Sequence, residues 1–254
     1  VSTPSEIAAS ARRTRILITV LVALVVVLAV VAAVAITTVL RSSGQGGGQA
    51  AESPSPSATP TRGPGDPLRL PQGQDQVEGL PVGFERTPEG AVAMVAAYAS
   101  HDVTLDPEAK AQVRSVYAAE LQDLGQQEME QLAEDSEFGI ENELDYYGFD
   151  VDLEDLPQQA TYSALPVGAV YEEIDSATTE VALLLQVTVS DGVEAQSTFL
   201  ETLEVRCLWG EDVRGGDWVI SDEFPEIEVP EKAEPGTGEF RSSEWIPLQG
   251  GTSW

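Results

Sequence analysis

Between Ile16 and Leu40 the chain runs for 25 residues without a charged side chain, built mainly of Ile, Leu, Val and Ala. At about 1.5 Å rise per residue, a helix of that length crosses the roughly 30 Å hydrocarbon core of a bilayer. Its threonines are no obstacle, because a hydroxyl can bond back to a helix carbonyl. The expectation is a single transmembrane helix over 16–40 in contact with the lipid bilayer. Arg12, Arg13 and Arg15 precede the run and Arg41 follows it. The positive-inside rule then puts residues 1–15 in the cytoplasm and everything after Arg41 outside. The expected localisation is the cell membrane, single-pass, with an extracellular C-terminal domain. A cleaved signal peptide is the competing reading, with Ala33-Val34-Ala35 as a small-residue site. Its apolar region is usually about 7–15 residues, shorter than this one.

Residues 41–79 are first Gly-rich and then rich in Pro, Ser and Thr. Too few apolar side chains occur there to form a core, so the stretch reads as a flexible, disordered linker. Apolar patterning returns at Leu80, leaving enough chain for one domain with a sizeable core. The charge balance is extreme: 43 acidic residues against 13 basic, a formal net charge of −30. Nucleic-acid binding depends on Lys and Arg contacts to phosphate, so direct binding is not expected. Cys207 is the only cysteine and His101 the only histidine. Those two facts exclude an intramolecular disulfide, a Cys-x-x-Cys pair and the common multi-histidine metal sites.

Within 80–227 helices come first and strands follow. Thr87 is a good N-cap with Pro88 at N1 and Glu89 in the first turn, and Ala91, Met94, Val95 and Tyr98 repeat at helical spacing. Gly90 weakens the start. Asp106 and Pro107 open a second helix through Ala109, Val113, Val116, Leu121 and Leu124, and 126–135 forms a third, short one. No period assigns 135–159. After Pro157 the spacing becomes two. Short strands are expected over 161–165 and 169–174, then a long one over 179–190. Asp191-Gly192 turns the chain, and a strand over 195–209 follows, with a bulge or bend near Glu201 because of its length. Trp218-Val219-Ile220 closes the meander. The fold class is α+β, with helices on a curved antiparallel sheet that can form a cone with a cavity. Residues 228–254 form a Pro-rich tail, either docked or unfolded.

Pro81-Val82-Gly83-Phe84, followed by Thr87-Pro88-Glu89-Gly90-Ala91-Val92, resembles the start of single-pass membrane proteins of actinobacteria associated with conjugative elements. Trp209 with Gly216-Asp217-Trp218-Val219-Ile220 is similar to the closing hairpin of cystatin-like, nuclear-transport-factor-like domains. Anchor, linker and distal domain together resemble the bitopic assembly component of type IV secretion channels. That resemblance implies a non-enzymatic, membrane-anchored assembly or interaction protein of the cell envelope, in a conjugative DNA-transfer or secretion complex. The alternative is a surface-displayed ligand-binding or enzymatic module using the cone cavity.

The chain offers few candidates for chemistry. Tyr98, His101, Asp102 and Asp106 are the candidate acid–base group, although His101 at a helix end is equally a capping residue. Cys207 reads as a small buried hydrophobe rather than a nucleophile. No Lys or Arg occurs between Arg114 and Arg206, while Glu120 through Glu204 supply 22 carboxylates. Such a run is a solvated face, a dock for a partner with a basic surface, or a loose calcium site. Asp150, Asp152, Glu154 and Asp155 depart from an EF-hand loop at its sixth and twelfth positions, Asp155 and Thr161. No catalytic residue, cofactor site or metal site is assigned. Protein partners in an envelope complex are expected, and a homo-oligomer is compatible with the sequence.

Overall fold

The computed structural model describes residues 66–149, 152–193 and 196–249, all within one compact unit, Pro60–Trp254. The expected span at 16–40 lies outside the described residues. Among the described residues no helix is long and apolar enough to cross a membrane. The transmembrane anchor, its bilayer contact and the cell-membrane placement have no footing in this structure and are withdrawn.

A short hairpin, β1 (Asp75–Val77) and β2 (Leu80–Val82), leads into helix α1 (Pro88–Asp102). Residues 66–79, read as the end of the linker, enter the fold through β1 and through Leu68, which bridges to Leu248. Helix α1 starts where its residues dictate: Thr87 Oγ1 accepts from the Gly90 N–H at 3.0 Å, and Pro88 needs no partner at N1. Its Ala-rich run from Gly90 to Ala97 is buried all round. A helix without a polar face belongs in the middle of a domain, and α1 sits there.

Helix α2 (Pro107–Tyr117) is capped by Asp106, whose carboxylate accepts from the Glu108 and Ala109 N–H groups at 3.0 and 3.2 Å. Helix α3 (Gln126–Tyr146) spans 21 residues, far beyond the short helix expected at 126–135. Only Ser136, Ile140 and Leu144 are fully buried in it, a single stripe at four-residue spacing. A stripe that narrow, diluted by carboxylates, is weak as a sequence signal.

The sheet has five antiparallel strands in the order β6-β5-β4-β3-β7: β3 Thr161–Asp175, β4 Thr178–Ser190, β5 Gln196–Gly210, β6 Asp217–Ile220 and β7 Ile246–Pro247. The two short strands expected at 161–165 and 169–174 are one strand with an irregularity between Pro166 and Gly168. Proline lacks the N–H that a ladder needs, which explains the position. The bulge expected near Glu201 is absent; β4 and β5 pair without a break from Thr178↔Leu208 to Ser190↔Gln196.

The expected cone is corrected too. The sheet is open, with four-residue β6 at one edge and two-residue β7 at the other. Val181, Leu183, Leu185, Val187 and Val189 of β4 pack with α1 on one face, so side chains occupy the space where a cone cavity would lie. The opposite face carries Ala182 and Leu184, covered by Ala233, Phe240 and Trp245 from the C-terminal segment. That segment includes a short helix, α4 (Gly238–Ser242), capped by Thr237.

One buried carboxylate joins the two ends of the domain. Asp217 accepts from Gly83 N–H at 2.8 Å, Phe84 N–H at 3.1 Å and Trp218 N–H at 2.9 Å, and from Arg214 Nε at 2.9 Å. The Trp218 indole N–H donates to the Glu85 carbonyl at 2.9 Å. Gly90 has to be glycine here: a Cβ would lie 1.9 Å from that same carbonyl oxygen.

Candidate functional site

The acid–base group expected from the sequence does not converge. His101 Nδ1 lies 2.7 Å from the Ala97 carbonyl on its own helix, and Asp106 is consumed as the cap of α2. Tyr98 and Asp102 do meet, but inside a charge-balanced network. Lys110, fully buried, reaches the Asp102 carbonyl at 3.0 Å and both oxygens of Glu143 at 3.2 and 3.1 Å. Arg114 Nε donates to Asp102 at 3.2 Å, and the Tyr162 hydroxyl donates to Glu143 at 3.1 Å. Two cations face two carboxylates. Burial first, then Asp102, pushes the Tyr98 hydroxyl up; burial and then Glu143 do the same to Tyr162. Such hydroxyls hold their protons, and neither carboxylate is left as a free base. The network ties α1, α2, α3 and β3 together.

Cys207 is buried and its thiol is pushed up by desolvation, which disfavours the nucleophilic thiolate. Of the acidic loop, Asp150 lies outside the described residues. Among the described residues no cluster of His, Cys, Asp or Glu is arranged to hold a metal ion.

A half-open cavity of about 110 Å³ sits at the start of α1, lined by Arg86, Thr87, Pro88, Glu173, Asp175, Ser176, Thr179 and Trp218. Its charges conflict: Arg86 and the helix N-terminus favour an anion, while Glu173 and Asp175 oppose one. Arg86 is also engaged, donating to Glu211 at 2.6 Å and to the Ser176 carbonyl at 3.1 Å while lying over the Trp209 ring. Thr179 Oγ1 has no partner, but it is sealed from solvent.

What the domain leaves free is on its outside. The outward side of α3 carries Glu130, Glu134, Glu137, Glu141 and Asp145 with no Lys or Arg in the helix. Phe138 and Tyr146 are exposed on the same helix, at 61% and 74%. The C-terminal end of α3 reaches the sheet through Tyr147, whose ring stacks on Phe199 of β5 at 4.8 Å. Sequence reading marked the carboxylates but missed these aromatics as a surface feature, because no period assigned 135–159.

Comparison with protein-family models, with curated proteins and with solved structures finds no match. The resemblance to single-pass actinobacterial membrane proteins and to a type IV secretion component is therefore withdrawn, along with the envelope-complex and DNA-transfer roles it implied. The motifs that carried it have a structural reading instead. Gly83-Phe84 and Asp217-Trp218 are the two halves of one buried hydrogen-bonded junction. The alternative that relied on a cone cavity falls with the cone.

Proposed function

We propose that the described domain is a non-catalytic module that holds a protein partner on its outer surface. The observation that carries this reading is the outward side of α3, where the helix bears two exposed aromatic rings and carboxylates that no Lys or Arg of the described residues pairs with. Protein interfaces combine aromatic anchors with a polar rim, and hot spots favour such rings. The helix keeps this pattern against its own interest. Glu130–Glu134, Glu137–Glu141 and Glu141–Asp145 are like-charge pairs four apart, each destabilising by about 0.2–0.5 kcal/mol. The non-catalytic half of the reading is supported by the interior, where the ionisable groups are consumed in balanced pairs.

A photo-reactive amino acid at position 138 of the full chain tests this in the cells that make it. A discrete protein adduct is expected from position 138 and none from position 224, where Phe224 is isolated and exposed. No adduct at 138, or the same diffuse labelling at both positions, contradicts it.

A further inference from the structure

Strand β5 has β4 beside it from Gln196 to Leu208, but on its other side β6 covers only Cys207–Gly210. Among the described residues, no strand pairs with the outer side of Gln196–Val205. The Arg206 carbonyl shows which groups point outward, since it accepts from the Ser221 N–H at 2.8 Å on that side. Backbone direction alternates along a strand, and the register here is unbroken. Thr198, Leu200, Thr202 and Glu204 therefore turn both N–H and C=O to the open edge. Thr198 to Glu204 spans roughly 20–24 Å, enough for a short added strand.

Exposed edges of this kind are usually blunted by a bulge, a proline, inward-pointing charge or a covering element. This edge has neither bulge nor proline. The C-terminal segment borders it, with Ile227 and Val229 in the same apolar cluster as Leu200, and Lys232 of that segment, itself partly exposed, reaches Glu201 at 2.6 Å. The neighbourhood is acidic. Tyr147, stacked on Phe199, lies near enough to Glu201 and Glu143 for both to raise its pKa, and Glu204 is exposed on the strand. A second copy is a poor occupant, because edge-to-edge pairing would bring together chains with 43 acidic and 13 basic residues each.

We propose that the β5 edge takes up, by strand addition, an extended segment of another protein carrying Lys or Arg at alternate positions. Main-chain bonds to Thr198, Leu200, Thr202 and Glu204 supply the affinity. Alternate cations meet Glu201 in the place Lys232 now holds. The proposal rests on the reading of the domain as a partner-binding module and names the chemistry of the partner.

The test uses the full chain and a fluorescent peptide alternating Lys and Val, followed by fluorescence anisotropy at low salt. Thr202→Pro removes one outward N–H without touching the ladder to β4, so the fold should hold. Binding is expected to weaken about tenfold or more in that variant, the worth of one to two hydrogen bonds. A Lys–Val peptide N-methylated on alternate residues should lose the same amount, which reads the edge from the ligand's side even if the proline variant folds poorly. A peptide alternating Glu and Val should not bind. Equal binding to wild type and Thr202→Pro, together with equal binding of the N-methylated peptide, overturns strand addition. Tight binding by the Glu–Val peptide overturns the charge requirement, and no binding by the Lys–Val peptide overturns the proposal. In each case a discrete adduct at position 138 would leave the broader reading standing.

Discussion

Asp217 holds the backbone N–H of Phe84 with one carboxylate oxygen and that of Gly83 with the other, across 133 and 134 residues of chain. The edge strand β6 is thereby fastened to the segment that launches α1. Arg214 Nε lies 2.9 Å from the same carboxylate, and Arg214 Nη1 donates to the Val116 carbonyl at the end of α2. Removing the carboxylate leaves two buried N–H groups, one partly buried N–H and a partly buried guanidinium without this partner. Asp217→Ala should therefore destabilise the domain by about 3–5 kcal/mol in urea denaturation. A loss below about 1 kcal/mol would show that water takes over the bonds and that the junction does not hold the fold.

That junction shows what was legible in the sequence. The helix starts at Thr87-Pro88-Glu89 and Asp106-Pro107 could be read because capping is local: the residues that stop the chain also accept its first N–H groups. The alternation of β4 was equally plain, since every second residue is apolar. Gly90 was visible only as a weak helix residue. Its reason is the Glu85 carbonyl, which a Cβ would strike, and that contact exists only in three dimensions. The length of α3 was hidden because a stripe of Ser136, Ile140 and Leu144 among carboxylates has too little apolar contrast. Lys110 and Glu143 lie 33 residues apart on different helices, so no local pattern could announce their pairing. A sheet able to form a cone was expected from helices followed by long antiparallel strands, but pairing at the edges decides closure, and here both edges are short strands.

Lys110 gives a second prediction. Its ammonium is fully buried, while the Glu143 side chain is about a third exposed and can recover some hydration. Lys110→Met should cost about 2 kcal/mol, less than a wholly buried broken pair, because Asp102 keeps Arg114. Adding Glu143→Gln should return about 1 kcal/mol by removing the orphaned charge. Equilibrium unfolding of the two variants checks this. A single variant as stable as wild type would mean that the network contributes nothing to holding α1, α2 and α3 together.

The same burial predicts the response to alkali. The Cys207 thiol is raised from its ordinary 9.0, and the Tyr147 hydroxyl from 10.0 to about 12, by burial first and then by Glu201 and Glu143. Tyr98, Tyr117 and Tyr162 are raised as well, each chiefly by burial. Between the ordinary value and the folded value, the folded chain holds protons that the unfolded chain has released. Unfolding then releases protons and is favoured as pH rises. Tm should be insensitive to these groups below pH 9.0 and should fall steadily above it, with Cys207→Ala deferring the onset toward 10.0. A Tm that stays level through pH 11 would mean that these side chains are hydrated in the folded state.

The most direct measurement asks whether the surface or the interior of the domain does its work. Adduct formation from a photo-reactive residue at position 138 can be compared between two variants of the full chain. In the first, Tyr98→Phe and His101→Gln remove the interior candidates for chemistry. In the second, Glu130→Gln, Glu134→Gln and Glu137→Gln remove charge from the outward side of α3, away from its buried stripe. The interior variant should keep the adduct at wild-type intensity, and the surface variant should lose most of it. Loss of the adduct in the interior variant, with the surface variant unaffected, would contradict the assignment of function to the outer face.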